Sequence, residues 1–171
     1  MIKNGKPAGF ATIREVRDML FVQGKIKNTE LAVKCNKKDK KFGYRVTSSK
    51  TKVTAKETNG TPKFHIKIKT EGYLESTDCL IDFKKESAFE GIEKAINNNM
   101  EEEIMRFINK SREEYNADIF GFGELLREQD YKNFKKYGAD WDQGFAKSDI
   151  KITFASEVKR TGLRGNPYMM K

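Results

Sequence analysis

Apolar and polar residues alternate with a period of two through much of the first half of the chain. Leu31, Val33 and Cys35 alternate with Ala32 and Lys34, and after a basic turn Tyr44, Val46 and Ser48 alternate with Arg45 and Thr47. β-Branched residues recur from Lys52 to Thr58, and Phe64, Ile66 and Ile68 then alternate with Lys63, His65, Lys67 and Lys69. This period, with lysines on the opposite side, is the mark of a sheet with one dry and one wet face. Asn59-Gly60 separates the last two runs. Both residues tolerate positive φ, so the pair predicts a two-residue hairpin turn.

The second half changes period. Ser87-Ala88-Phe89-Glu90 fits a capping box, in which the serine hydroxyl accepts from a free backbone N–H and the glutamate reaches back. Behind it Ile92, Ile96, Met100, Ile104, Phe107, Ile108 and Tyr115 recur at three- and four-residue spacing, predicting an amphipathic helix of about seven or eight turns. The segment from Asn116 to Gly123 interrupts it. A shorter helix follows, with Phe122, Leu125, Leu126 and Phe134 as inward positions, and Trp141 and Phe145 fall in a loop or short turn after Gly138. Ile150, Ile152, Phe154 and Val158 share one parity and predict a closing strand, with Gly162 to Pro167 as a tail. Strands, then helices, then a strand predict an α+β fold. The expected form is one domain over residues 1–171, a mainly antiparallel sheet with one long and one shorter helix on one face.

Charge sharpens this picture. The chain carries 34 Lys/Arg against 25 Asp/Glu, a net of +9, and the excess lies in the first half, where residues 1–85 hold 20 basic against 9 acidic side chains. Lys37, Lys38, Lys40 and Lys41 form the densest cluster, and Lys63, Lys67 and Lys69 line a strand. These seven are candidate contacts for an anionic surface, because a positive field attracts nucleic acid, anionic headgroups or acidic polymers. A basic nucleic-acid-binding module is the alternative reading. Against it, the chain has no RNP-type motif, no zinc finger and no strongly basic recognition helix, and the long helix carries more acid than base. No stretch approaches the ~20 apolar residues that span a bilayer.

Candidate chemistry is sparse. His65, the sole histidine, sits on the lysine side of a strand, where a base or metal ligand would stand alone. Cys35 and Cys79 form no C-x-x-C motif. They could make one disulfide in an oxidising compartment, but each also fits an apolar strand position, and that is the preferred expectation. Phe120-Gly121-Phe122-Gly123-Glu124 follows a helix and lacks the Gly-Lys-Ser/Thr of a phosphate loop. It reads instead as a mechanical elbow: Asp118 caps the next turn, the glycines permit positive φ and close approach, and the phenylalanines pin the corner. Glu101-Glu102-Glu103 point in three directions on a helix, which is poor cation geometry. No catalytic residue, cofactor, metal or small-molecule ligand is assignable.

The run Asp118-Ile119-Phe120-Gly121-Phe122-Gly123-Glu124-Leu125-Leu126-Arg127, followed by Trp141 and the strand Ile150–Phe154, resembles the C-terminal domain of the Ger(x)C family, the C subunits of bacterial spore germinant receptors. The preceding amphipathic helix, the early runs Gly24–Lys27 and Ser48–Val53, and the closing Arg160-Thr161-Gly162 fit the same family. The resemblance implies an α/β module without assigned catalytic residues. It also implies a lipoprotein on the outer face of the spore inner membrane, held by the lipid anchor of the full-length protein and acting with multi-pass membrane subunits. The Asp118, Phe120, Gly121, Phe122, Gly123 and Trp141 set is then the expected structural junction. Cys35, inside a strand pattern, is not expected to be a lipid-attachment residue, and the chain reads as a domain excised from a longer protein.

Overall fold

A computed structural model describes residues 2–3, 6–7, 9–35 and 40–159. Six strands and five α-helices are described: β1 (Ile2–Lys3), β2 (Lys6–Pro7), α1 (Ile13–Val22), β3 (Thr29–Lys34), β4 (Lys41–Thr58), β5 (Thr61–Thr77), α2 (Glu86–Lys110), α3 (Phe122–Gln129), α4 (Tyr131–Phe134), α5 (Trp141–Ala146) and β6 (Asp149–Val158). β1 and β2 form a small antiparallel ladder, and the main sheet has the order β3-β4-β5-β6. β3 pairs with β4 antiparallel, Leu31 opposite Tyr44 and Val33 opposite Phe42. Asn59 (φ 54°) and Gly60 (φ 81°) make the expected tight turn between β4 and β5. Along β5 and β6 the contacts Lys63–Asp149, His65–Thr153 and Gly72–Lys159 rise together in number, so these two strands run parallel and the sheet is mixed, though mainly antiparallel. The class is α+β, as the patterning predicts.

A change of parity runs through β4. Its buried positions are even-numbered at Phe42, Tyr44 and Val46 but odd-numbered at Ala55 and Glu57. β5 keeps Phe64, Ile66, Ile68 and Leu74 buried throughout on even numbers. One extra residue is therefore accommodated in β4 between Thr47 and Thr51, after which the new alternation is unbroken, as a β-bulge requires.

The chain divides into two compact units. The first comprises residues 1–25, 51–68 and 101–153. Its core joins Phe21 and Val22 of α1 to Phe64, Ile66 and Ile68 of β5, Ile104, Phe107 and Ile108 of α2, and Phe122, Leu126 and Phe145. Helix α1, which the sequence pattern does not anticipate, opens on a capping box. The Thr12 hydroxyl accepts from the Glu15 N–H, and the Glu15 carboxylate accepts from the Thr12 N–H at 2.7 Å. Ion pairs tie it to α2: Lys110 to Glu15 and Arg17 to Glu103, both at 2.8 Å. Beside them Asp18 is buried, accepting from Arg17 Nη2 at 3.0 Å. Helix α2 begins at Glu86, so Ser87 lies inside its first turn and does not precede it. At its other end a π-helical turn, Ser111–Tyr115, carries the apolar stripe to Tyr115 before Asn116 closes it in the left-handed region (φ 45°). Trp141 opens a short helix, α5, where the sequence suggests a loop or turn.

The second unit comprises residues 26–50, 69–100 and 154–171. Leu31, Val33, Phe42, Tyr44, Val46 and Phe154 are buried in this unit together with Phe89, Ile92, Ile96 and Met100 of α2. Asn97 Oδ1 accepts from the Ser156 N–H at 2.8 Å, and Glu93 Oε1 accepts from the Val158 N–H at 2.9 Å, so α2 satisfies backbone donors of β6. Cys35 and Cys79 form a disulfide with Cα atoms 6.2 Å apart, which overturns the expectation of two separate apolar thiols. The physical reason is topological. Cys35 follows β3 and Cys79 follows β5, the two strands that flank β4, and the Asp78 N–H donates to Lys41 O to bring the two ends level. The tail at Gly162–Pro167 and the closing Arg160-Thr161-Gly162 lie outside the described residues.

Two measurements check this architecture. Closing a loop of 44 residues removes about 4 kcal/mol of unfolded-state entropy in the chain-entropy picture, so reduction, or Cys35→Ser, is expected to lower the denaturant midpoint accordingly. Burial pushes Asp18 up to about 6 from 3.8, with Arg17 pulling it back. The native state therefore holds that proton more tightly than the unfolded chain, and stability falls as pH rises from 3.8 to about 6 and is then level. Asp18→Asn is expected to remove a slope worth on the order of 3 kcal/mol, read from urea midpoints across that pH range.

Candidate functional site

The elbow after the long helix is built around one carboxylate. Asp118 Oδ1 accepts from the Gly121 N–H at 2.9 Å, while Oδ2 accepts from the Gly123 N–H at 2.7 Å and from Trp141 Nε1 at 2.9 Å. Two of these donors belong to the first turn of α3, whose free N–H groups carry the positive end of the helix dipole. Asp118 thus caps α3 and fixes α5 through the indole. The two glycines serve different needs. Gly121 adopts φ +84° with open space around it, whereas at Gly123 an added Cβ would lie 2.6 Å from Trp141 Nε1. Gly121 supplies a backbone conformation and Gly123 supplies room for the ring.

The aromatic residues lock the corner. Phe120 and Phe122 stack with ring centroids 5.4 Å apart, Phe120 meets Phe107 of α2 at 5.5 Å, and Phe122 meets Phe64 of β5 at 4.8 Å. Trp141 stands edge-on to Phe64 at 6.3 Å and to Tyr137 at 6.0 Å. Near the β4–β5 turn, Gln129 accepts from Ala55 N–H and Asp130 from Glu57 N–H, fastening the end of α3 to a strand that would otherwise expose its backbone donors. Asp118, Phe120, Gly121, Phe122, Gly123 and Trp141 therefore converge on one another.

The lysines disperse. Lys37 and Lys38 lie outside the described residues, and Lys40 and Lys41 are exposed in the second unit with Lys69. Lys63 and Lys67 are exposed on the outer face of β5 in the first unit. His65 sits between them, 2.9 Å from the Thr153 hydroxyl, and burial, with the charges of Lys67 and Lys151, holds it below its usual range. In the second unit a hollow of about 590 Å³ beside the disulfide is lined by Phe42, Leu80, Ile81, Ile92, Lys40 and Lys85 among others. Among the described residues no group of three His, Cys, Asp or Glu side chains could hold a metal ion, and no helix is long and apolar enough to cross a membrane.

Sequence patterning alone does not supply the Gln129 and Asp130 clasps or helix α1. For the helix a signal was present: Thr12-x-x-Glu15 ahead of Val16, Met19 and Leu20 is a capping box with an apolar stripe.

The fold is an α+β module with helices on a mixed, mainly antiparallel sheet. It superimposes on the crystal structure of the GerBC protein with a TM-score of 0.77 at 25% identity, covering 89% of this chain and 48% of that one. Residues 1–162 match the family described as Spore germination B3/GerAC like, C-terminal, and the chain belongs to that family. It is 27% identical to spore germination protein KC of Bacillus subtilis (strain 168) over 149 residues, and 26% identical to spore germination protein B3 of the same organism over 168. Those alignments take in 86% and 96% of this chain but only 36% and 44% of the relatives' lengths.

The elbow orders three substitutions. Asp118→Ala strands three N–H donors and is expected to cost about 3 kcal/mol. Gly121→Ala places a Cβ at positive φ, for about 1–2 kcal/mol. Gly123→Ala drives the indole from its seat and is expected to shift the Trp141 fluorescence maximum, which Gly121→Ala leaves in place.

Proposed function

We propose that this chain is a non-catalytic interaction domain of a spore germinant-receptor subunit, contributing to receptor assembly and to nutrient-triggered germination. The observation that carries the reading is the family match across residues 1–162. The geometry supports it: the most distinctive residues of the sequence hold one another in place and present no converging reactive groups. In this reading the domain is an α+β docking platform, the full-length protein carries a lipid anchor at the outer face of the spore inner membrane, and the partners are multi-pass receptor subunits.

The test is co-purification from spores of the full-length protein that carries this domain. Capture of the multi-pass receptor subunits, lost together with nutrient-triggered germination in an Asp118→Ala variant, is the expected outcome. Normal germination and an intact complex without the domain would overturn the proposal. Tight, steeply salt-dependent binding of labelled DNA by the same protein, with no receptor subunit captured, would favour the nucleic-acid alternative instead.

A further inference from the structure

The outer sheet face of the first unit gathers like charges that the fold leaves uncompensated. The two-residue turn at Asn59-Gly60 sets Thr58 opposite Thr61, and the hydrogen bond from the Thr54 hydroxyl to His65 O keeps that register. It places Lys56 opposite Lys63 and Lys52 opposite Lys67. Directly opposed side chains have Cβ atoms about 4.5–5.5 Å apart, and like charges in that position destabilise a sheet. Lys151, on the neighbouring strand, acts on the same histidine as Lys67 and so belongs to the same cluster. All five lysines are exposed. Only Lys63 has an ion-pair partner among the described residues, Asp149 at 3.8 Å.

In the second unit Lys69 continues the exposed row of β5, while two other outer-face cations are paired. Arg45 reaches Glu75 at 2.8 Å and Glu30 at 3.7 Å, and Lys159 pairs with Glu71. The directly opposed like charges, Lys56 with Lys63 and Lys52 with Lys67, lie on the first unit's stretch of strand surface. Two opposed lysine pairs raise the energy of the isolated domain, and a layer of anions laid across the strands would lower it.

We propose that Lys52, Lys56, Lys63, Lys67 and Lys151 form a docking face for an anionic lipid bilayer. The chemistry of the face selects that occupant. Its charges are ammonium groups on flexible stems, which suit an array of phosphate headgroups, and it has no arginine fork for bidentate recognition. Its ring among the lysines is His65, half-buried and bonded to Thr153, which gives no succession of aromatic faces for nucleobases to stack on, and it is a strand surface without a helix to enter a duplex groove. No large apolar residue stands among the five, so adsorption is electrostatic and salt-sensitive. The contact stands apart from the receptor assignment, since vesicles can detect it with no receptor subunit present.

The experiment is co-sedimentation of the 171-residue chain with vesicles of phosphatidylcholine alone and of equal parts phosphatidylcholine and phosphatidylglycerol. Binding to the anionic vesicles only, weakening as salt is raised, is expected. The Lys52→Gln/Lys67→Gln/Lys151→Gln variant is expected to lose about fivefold per lysine, on the order of a hundredfold in all. Its denaturant midpoint at low salt should be no lower than the wild type's, which excludes unfolding as the cause. A control with the same charge change elsewhere, Lys25→Gln/Lys84→Gln/Lys132→Gln, is expected to keep most of the affinity. Equal losses in the two variants would reduce the effect to net charge and overturn the proposal. So would equal retention on neutral vesicles, or preference for a short DNA duplex over anionic vesicles at matched salt.

Discussion

The described elbow depends on one carboxylate gathering donors that the chain would otherwise leave unpaired. A helix start exposes N–H groups, and a buried indole exposes another. Asp118 accepts from both kinds with its two oxygens, so the direction of α3 and the position of α5 are settled at a single point. The surrounding rings follow from that choice. Phe120 and Phe122 flank the junction and bridge from α2 to β5, and Trp141 needs a neighbour without a side chain, which Gly123 provides. A hydrogen-bonded charge at a helix start is stronger than a neutral cap, which suits a corner where two helices and a strand meet.

Much of the fold is legible in residue order, and the reasons are local. Alternation at Phe64, Ile66 and Ile68, the Asn59-Gly60 turn and the stripe from Ile92 to Tyr115 each declare themselves within a short window, because the side chains that bury together are neighbours on one strand or helix face. The elbow is legible for the same reason, since Asp118, Gly121 and Gly123 lie within six residues. What escapes depends on distant pairing. Nothing near Cys35 shows that Cys79 stands beside it, because the two are joined only through the order of three strands. The parallel placement of β6 beside β5 is equally non-local, and so is the grouping of Lys151 with Lys67.

The lysine-rich first half illustrates how composition misleads about location. The densest cluster in the sequence, Lys37 to Lys41, falls largely outside the described residues, whereas the opposed pairs arise from residues spread across β4 and β5. Charges two residues apart on paired strands share one face, and only the register reveals it.

The change of parity in β4 has a consequence for how this strand can vary in length. Phe42, Tyr44 and Val46 and, further on, Ala55 and Glu57 are all buried, yet they lie on opposite parities, reconciled by the single additional residue between them. Deleting one residue there would not merely shorten the strand. It would leave one of the two segments inside out, with lysines turned toward the interior and apolar groups toward water. Evolution can trade side chains freely along this ribbon, but it must conserve the count.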